Sequence, residues 1–226
     1  MPIVSGRNRW LSKREEGGAR RGTPKMFCEA KILGDNGRQD PHSEPVRGYV
    51  KLADATKAFN FDFRSKIVLD IGSSTGGFTE YALDHGATKV IAVEKGTNQM
   101  KAPLRYDPRI ELHEKTDIFD FSLSDEIGVV VADISFLSLR PVLQYLKPLK
   151  RADFLMMLKP QFEARPDQLN NGVVKNDKIR REIIKNFEYW LAQNGYIIIQ
   201  KHDNILKGKT GNQERFYHLR LAKNEA

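Results

Sequence analysis

The chain is 226 residues long with 40% hydrophobic content, enough for one sizeable core and short for two. Its one cysteine, Cys28, cannot form an internal disulfide. Neither a bilayer-length apolar run nor a signal-like apolar segment stands out, so a cytoplasmic protein with no membrane association is expected. The net charge of +8 is uneven: residues 1–50 hold 10 basic and 6 acidic side chains, residues 51–137 hold 10 and 14, and residues 138–226 hold 17 and 9. An acidic middle between basic flanks suits a chain that holds a small, partly cationic ligand while its ends meet a polyanion such as RNA. A plain solubility surface would give the same totals.

Residues 1–46 carry Gly, Arg, Pro and Asp without periodicity and read as a flexible basic arm, with seven Lys or Arg against two Glu in the first 26 residues. Regular patterning begins at Tyr49 with a helix over KLADATKAFNF, then an apolar strand at 66–72 that runs into a Gly-rich turn. FTEYALDHG predicts a helix closed by Gly86, and KVIAVEKG (89–96) a second strand. A helix-like stretch follows, and RIELHEKTD predicts a third strand ending near Asp117. EIGVVVADISF has the continuous apolar run of a buried parallel strand, LSLRPVLQYLKPL reads as a helix, and ADFLMMLKPQFE as a fifth strand. An amphipathic helix at 177–194 and two last strands, GYIIIQKH and ERFYHLRLA, end the pattern. The alternation predicts an α/β fold: a Rossmann-like, mainly parallel seven-stranded sheet with helices on both faces and ligands outside the carboxyl ends of its strands.

The first strand closes on Asp70 and continues through Gly72, Ser73, Gly76, Gly77 and Phe78, giving D-x-G-x-x-x-G-G between a strand and a helix. Glycines there let the backbone approach a bound cofactor, and a carboxylate at the strand end can accept from a cofactor ammonium. The dinucleotide spacing G-x-G-x-x-G is broken at Ser74, which disfavours a nicotinamide cofactor. Glu94 and Asp117, at the ends of the next two strands, suit the hydroxyls of a ribose and the amino group of an adenine. Three acids at three consecutive strand ends form a coherent adenosyl site. GKT at 208–210 is not a P-loop, because Asp203 stands where the first glycine is needed and a strand follows. The five histidines show no metal-ligand spacing.

Five stretches, RGYVKL (47–52), LDIGSSTGGFTEYAL (69–83), VVADISFLSL (130–139), MLKPQFEA (157–164) and GNQERFYHLR (211–220), together resemble the TlyA family of hemolysin-like RNA methyltransferases, part of the FtsJ-like group. The resemblance covers residues 47–221 and implies a class I methyltransferase domain over 47–226, with S-adenosyl-L-methionine as cofactor and a ribose 2′-hydroxyl of ribosomal RNA as acceptor. It also implies a catalytic tetrad: Lys159 as central base or oxyanion stabiliser, Asp133 as its orienter beside the cofactor, and Lys51 and Glu214 as the groups that place the ribose and tune Lys159. A ribose hydroxyl is a poor nucleophile, so a lysine–carboxylate set must receive or offset its proton during in-line attack on a sulfonium methyl. Pro160, Gln161 and Phe162 are expected to shape the pocket for the target nucleotide. The S4 RNA-binding domain usual in the family is not recognisable in residues 1–46, so the basic arm or a separate targeting protein is expected to take its place on the ribosomal RNA or subunit. Two other readings keep part of this picture: a methyltransferase with a non-RNA acceptor, and a non-catalytic RNA-binding or hemolysin-like protein. An intact tetrad speaks against both.

Overall fold

The computed structural model describes residues 46–222, so the arm expected over 1–46 falls almost wholly outside the described residues. The elements in chain order are α1 (Arg47–Phe59), β1 (Ile67–Ile71), α2 (Gly77–Asp84), β2 (Lys89–Glu94), β3 (Ile110–Glu114), β4 (Val129–Ala132), α3 (Leu139–Tyr145), β5 (Asp153–Leu158), the single helical turn α4 (Pro160–Glu163), a small hairpin of β6 (Leu169–Asn170) and β7 (Val173–Val174), α5 (Asp177–Gln193), β8 (Tyr196–Asp203) and β9 (Arg215–Leu221).

Seven strands form one sheet in the order β3-β2-β1-β4-β5-β9-β8. The first five are parallel, and β9 runs antiparallel to β5 and β8. The strand order reverses between β1 and β4, which opens a crevice at their carboxyl ends. Strand alternation divides the core in two. Val68, Val129, Val131, Leu155, Met157 and Phe216 pack under α1 and α2, whereas Leu69, Val130, Phe154 and Met156 pack under α3 and α5. Both faces are therefore covered by helices, as the unbroken apolar run of β4 requires.

The helix-like stretch before β3 is only a 3₁₀ turn at Leu104–Tyr106, because Pro103 and Pro108 bracket it and block a longer helix. The third strand stops at Glu114, and Asp117 instead caps a 3₁₀ turn, its Oδ1 accepting from the Phe119 N–H at 3.2 Å. The fifth strand stops at Leu158, since Pro160 has no N–H for the ladder and starts α4. The β6–β7 hairpin turns through Asn171 (φ 47°) and Gly172 (φ 77°), the left-handed pair that a two-residue hairpin loop needs.

Candidate functional site

Asp133 and Lys159 stand one residue past the ends of β4 and β5, and Glu214 one residue before β9. Each is two positions from a residue packed under α1 and α2 (Val131, Met157 and Phe216), so all three continue that face of the sheet. Lys51 meets them from α1. The helix comes close enough because α1 and α2 touch backbone to backbone: a Cβ on Gly77 would lie 2.7 Å from the Tyr49 nitrogen and 3.0 Å from the Gly48 Cα.

The four side chains form an alternating charge array. Lys51 Nζ lies 2.6 Å from Glu214 Oε2 and 3.8 Å from Asp133 Oδ2, and Lys159 Nζ lies 2.7 Å from Asp133 Oδ1. Lys159 also donates to the Ser135 hydroxyl at 2.6 Å. Two cations and two anions balance, which lets Lys51 and Glu214 be buried together. Asp133 Oδ1 and Glu214 Oε2 are held by charge without an aligned hydrogen bond, leaving acceptor capacity inside the array. The loop before β9 roofs it: a Cβ on Gly208 would stand 2.8 Å from Glu214 Oε1. Buried Asn212 ties this loop to the β6–β7 hairpin, donating to the Gly172 carbonyl at 3.0 Å and accepting from the Val174 N–H at 3.0 Å.

Two cavities meet at this array. One, about 680 Å³, is lined by Lys51, Ser73, Gly77, Phe78, Lys159 and Glu214. The other, about 580 Å³, runs over the carboxyl ends of β1 and β2 and is lined by Ile71, Glu94, Gln99 and Asp117. Gly72, Ser74, Asp133, Ser135 and Phe136 line both, so the two form one cleft. Gly72 adopts φ +78°, and a Cβ there would come within 3.1 Å of the Asp133 carbonyl, so glycine lets the β1 and β4 loops close on each other.

The remaining candidates divide into cleft residues and scaffold. Glu94 accepts from the backbone of Ser74 at 2.9 Å and of Gly96 at 2.6 Å and from Gln99 Nε2 at 3.1 Å. Asp117 faces the same cavity, and its ion pair with Lys95 at 3.0 Å holds its carboxyl below the usual range. Ser73 Oγ is buried and has no hydrogen-bond partner among the described residues. Asp70 lines neither cavity. It lies under the glycine turn, accepts from the Thr79 hydroxyl of α2 at 2.6 Å and leaves Oδ1 unpartnered; burial pushes its carboxyl up to about 7, partly offset by that hydroxyl. Gly76 also sits outside the lining, and its φ of +94° and contact with Leu104 make it a turn residue.

Sequence reasoning passed over Ser135, Phe136, Gln99 and Glu163. Phe136 is the clearest signal in the structure, 91% exposed at φ 64°, with its ring 5.4 Å from that of Phe162. The positive φ and the exposed ring set Phe136 apart from the packed aromatic residues of the core.

Fold and cleft together define a Rossmann-like domain with a lysine–carboxylate array at its switch point. Residues 45–221 match the FtsJ-like methyltransferase family, and the chain belongs to it. The chain is 34% identical to the 23S rRNA (cytidine-2′-O)-methyltransferase TlyA of Campylobacter jejuni, over 76% of this chain and 69% of that one. It is 35% identical to the 16S/23S rRNA (cytidine-2′-O)-methyltransferase TlyA of Mycobacterium tuberculosis, over 80% and 69%. A solved structure from Streptococcus thermophilus, carrying a provisional hemolysin name, superimposes with a TM-score of 0.72 at 30% identity, over 83% of this chain and 70% of that one. Among the described residues no helix is long and apolar enough to cross a membrane.

Proposed function

We propose that the protein moves a methyl group from S-adenosyl-L-methionine to a ribose 2′-hydroxyl of ribosomal RNA. The observation that carries this reading is the continuity of the two cavities through Gly72, Asp133 and Ser135, which sets the buried lysine–carboxylate array beside an acid-rimmed nucleoside cleft. Glu94 would take the cofactor ribose in exchange for Gln99, and Asp117 the adenine amino group. Ser73 offers a hydroxyl to the amino-acid end, while Asp70, buried beneath the glycine turn and outside the cleft, ties that turn to α2 through Thr79. The cofactor supplies an electrophilic methyl on a positive sulfur.

The chain's own residues then act on the acceptor. Lys159, fixed between Asp133 and Ser135, faces the attacking hydroxyl: as the ammonium it stabilises the oxygen as its negative charge grows, the hydroxyl proton passing to water, and it accepts that proton itself only after giving up its own. Lys51 and Glu214 hold the same hydroxyl in line, a positioning gain worth several orders of magnitude in rate. At the mouth, Phe136 and Phe162 offer ring faces to a displaced base, and Arg47 and Lys209 in the cavity wall suit a phosphodiester. The close TlyA relatives are named for this reaction on ribosomal RNA. The basic arm, or a separate targeting protein, delivers the domain to its RNA.

The test is incubation with labelled cofactor and separated ribosomal subunits or free ribosomal RNA, followed by digestion to nucleosides. Label in a 2′-O-methylnucleoside supports the reading, whereas label on a base or in protein refutes it.

A further inference from the structure

Beyond Phe162, a groove of about 660 Å³ lies between α3, α4 and α5, and the Phe162 ring is a wall of both this groove and the tetrad cavity. Its floor is a stack. The Trp190 ring lies 6.2 Å from that of Phe187 at 22°, and the Arg140 guanidinium stands 5.7 Å from the Trp190 centroid. Glu163 keeps Arg140 there: its buried carboxylate is 3.3 Å from Arg140 Nε and accepts from the Ser138 hydroxyl at 2.8 Å and the Leu139 N–H at 2.7 Å. Tyr189 stands beside this stack at 69% exposure. Arg165, after α4, completes the lining.

We propose that this groove binds the unpaired nucleotides next to the methylated one, with Tyr189 and the Arg140–Trp190 stack taking base planes and Arg165 a phosphate. The inference rests on the RNA reading above and extends it to a second subsite. A nucleotide whose ribose reaches a buried array must be splayed from its neighbours, which then need another stacking surface. The groove answers that need with planar groups, and the amides of Asn186 and Gln193 in its wall match base edges. Its charge fits a polyanion. Among the described residues Glu163 is the one acid in the lining and is already occupied, while Arg165 pairs with Asp167, both side chains being more than 60% exposed. Glu182 also acts on Arg165. Such surface pairs are weak and exchange readily for a phosphate. An acidic or wholly apolar peptide would leave the amides and the stacked guanidinium unused.

The experiment is fluorescence anisotropy on the full chain with a short labelled single-stranded oligoribonucleotide of mixed sequence and a duplex of equal length, with calorimetric titration of S-adenosyl-L-methionine as control. Tyr189→Ala should weaken single-strand binding about tenfold and duplex binding hardly at all. Arg165→Glu should weaken it and flatten its salt dependence, and Arg165→Lys should restore most of the loss. Cofactor affinity should not move. Equal binding of the single strand by wild type and both loss variants overturns the groove and leaves the methyltransferase reading standing. Equal losses on single strand and duplex overturn the stacking assignment. A wild type that binds cofactor but no RNA removes the RNA reading and this subsite with it.

Discussion

Each member of the tetrad is neutralised by its neighbours, so the array behaves as a unit: Lys51 spans Glu214 and Asp133, and Asp133 spans the two lysines. Lys159→Ala should therefore lower kcat by roughly 10²–10⁴-fold while calorimetry finds cofactor affinity near the wild-type value. Lys51→Ala should also lower the Tm, since it leaves Glu214 buried without its cation. Asp70 makes a separate prediction. Its folded value near 7 lies above its ordinary 3.8, so the unfolded chain releases this proton first and the folded state loses stability as pH rises from about 4 to 7. Asp70→Asn removes that titration while keeping an acceptor for Thr79, so its Tm advantage over wild type should grow across this range. A pH-independent difference would refute the assignment. Asp133 and Lys159 were legible because each stands at the end of an apolar strand, whereas Lys51, on α1, and Glu214, just before β9, were legible only through the family resemblance. Ser135 and Glu163 were not, because their partners, Lys159 and Ser138, lie 24 and 25 residues away and only the adjacent β4 and β5 ends bring them together.

At the scale of elements, α1 brings Lys51 to the array only because it can settle on α2. The Gly77 Cα is where that contact is tightest, and a methyl group there meets backbone, which cannot rotate away. Gly77→Ala is expected to cost about 1–3 kcal/mol, seen as a Tm lower by several degrees, and to depress kcat more than it weakens cofactor binding. A stable variant with full kcat would mean that α1 is not positioned by this contact. Gly77 was read from the sequence as a cofactor glycine, and it does line the cleft. Its second task, a helix crossing, depends on Gly48, 29 positions earlier, and no local pattern announces it. Strands β1, β2, β4 and β5 were legible because buried parallel strands are nearly continuously apolar. The stretch before β3, the extent of β5 and the β6–β7 hairpin were misread or missed, since prolines and two-residue strands override periodicity.

For the whole molecule, the acidic middle of the sequence becomes the β1–β2–β3 end of the cleft, with Glu94 and Asp117 in its wall, while the basic C-terminal half supplies Lys159, Lys209 and the Arg140–Arg165 groove. Under the function proposed above, the charge asymmetry divides labour between a nucleoside cofactor and a polyanionic acceptor. The proposed role of Lys159 is methyl transfer to a ribose oxygen. It is tested most directly by treating ribosomal RNA with wild type or Lys159→Ala in the presence of S-adenosyl-L-methionine and mapping resistance to alkaline cleavage, which requires a free 2′-hydroxyl. A discrete protected phosphodiester is expected with the wild type and none with the variant; protection that persists in Lys159→Ala, or methyl incorporation with every phosphodiester still cleavable, would contradict this role.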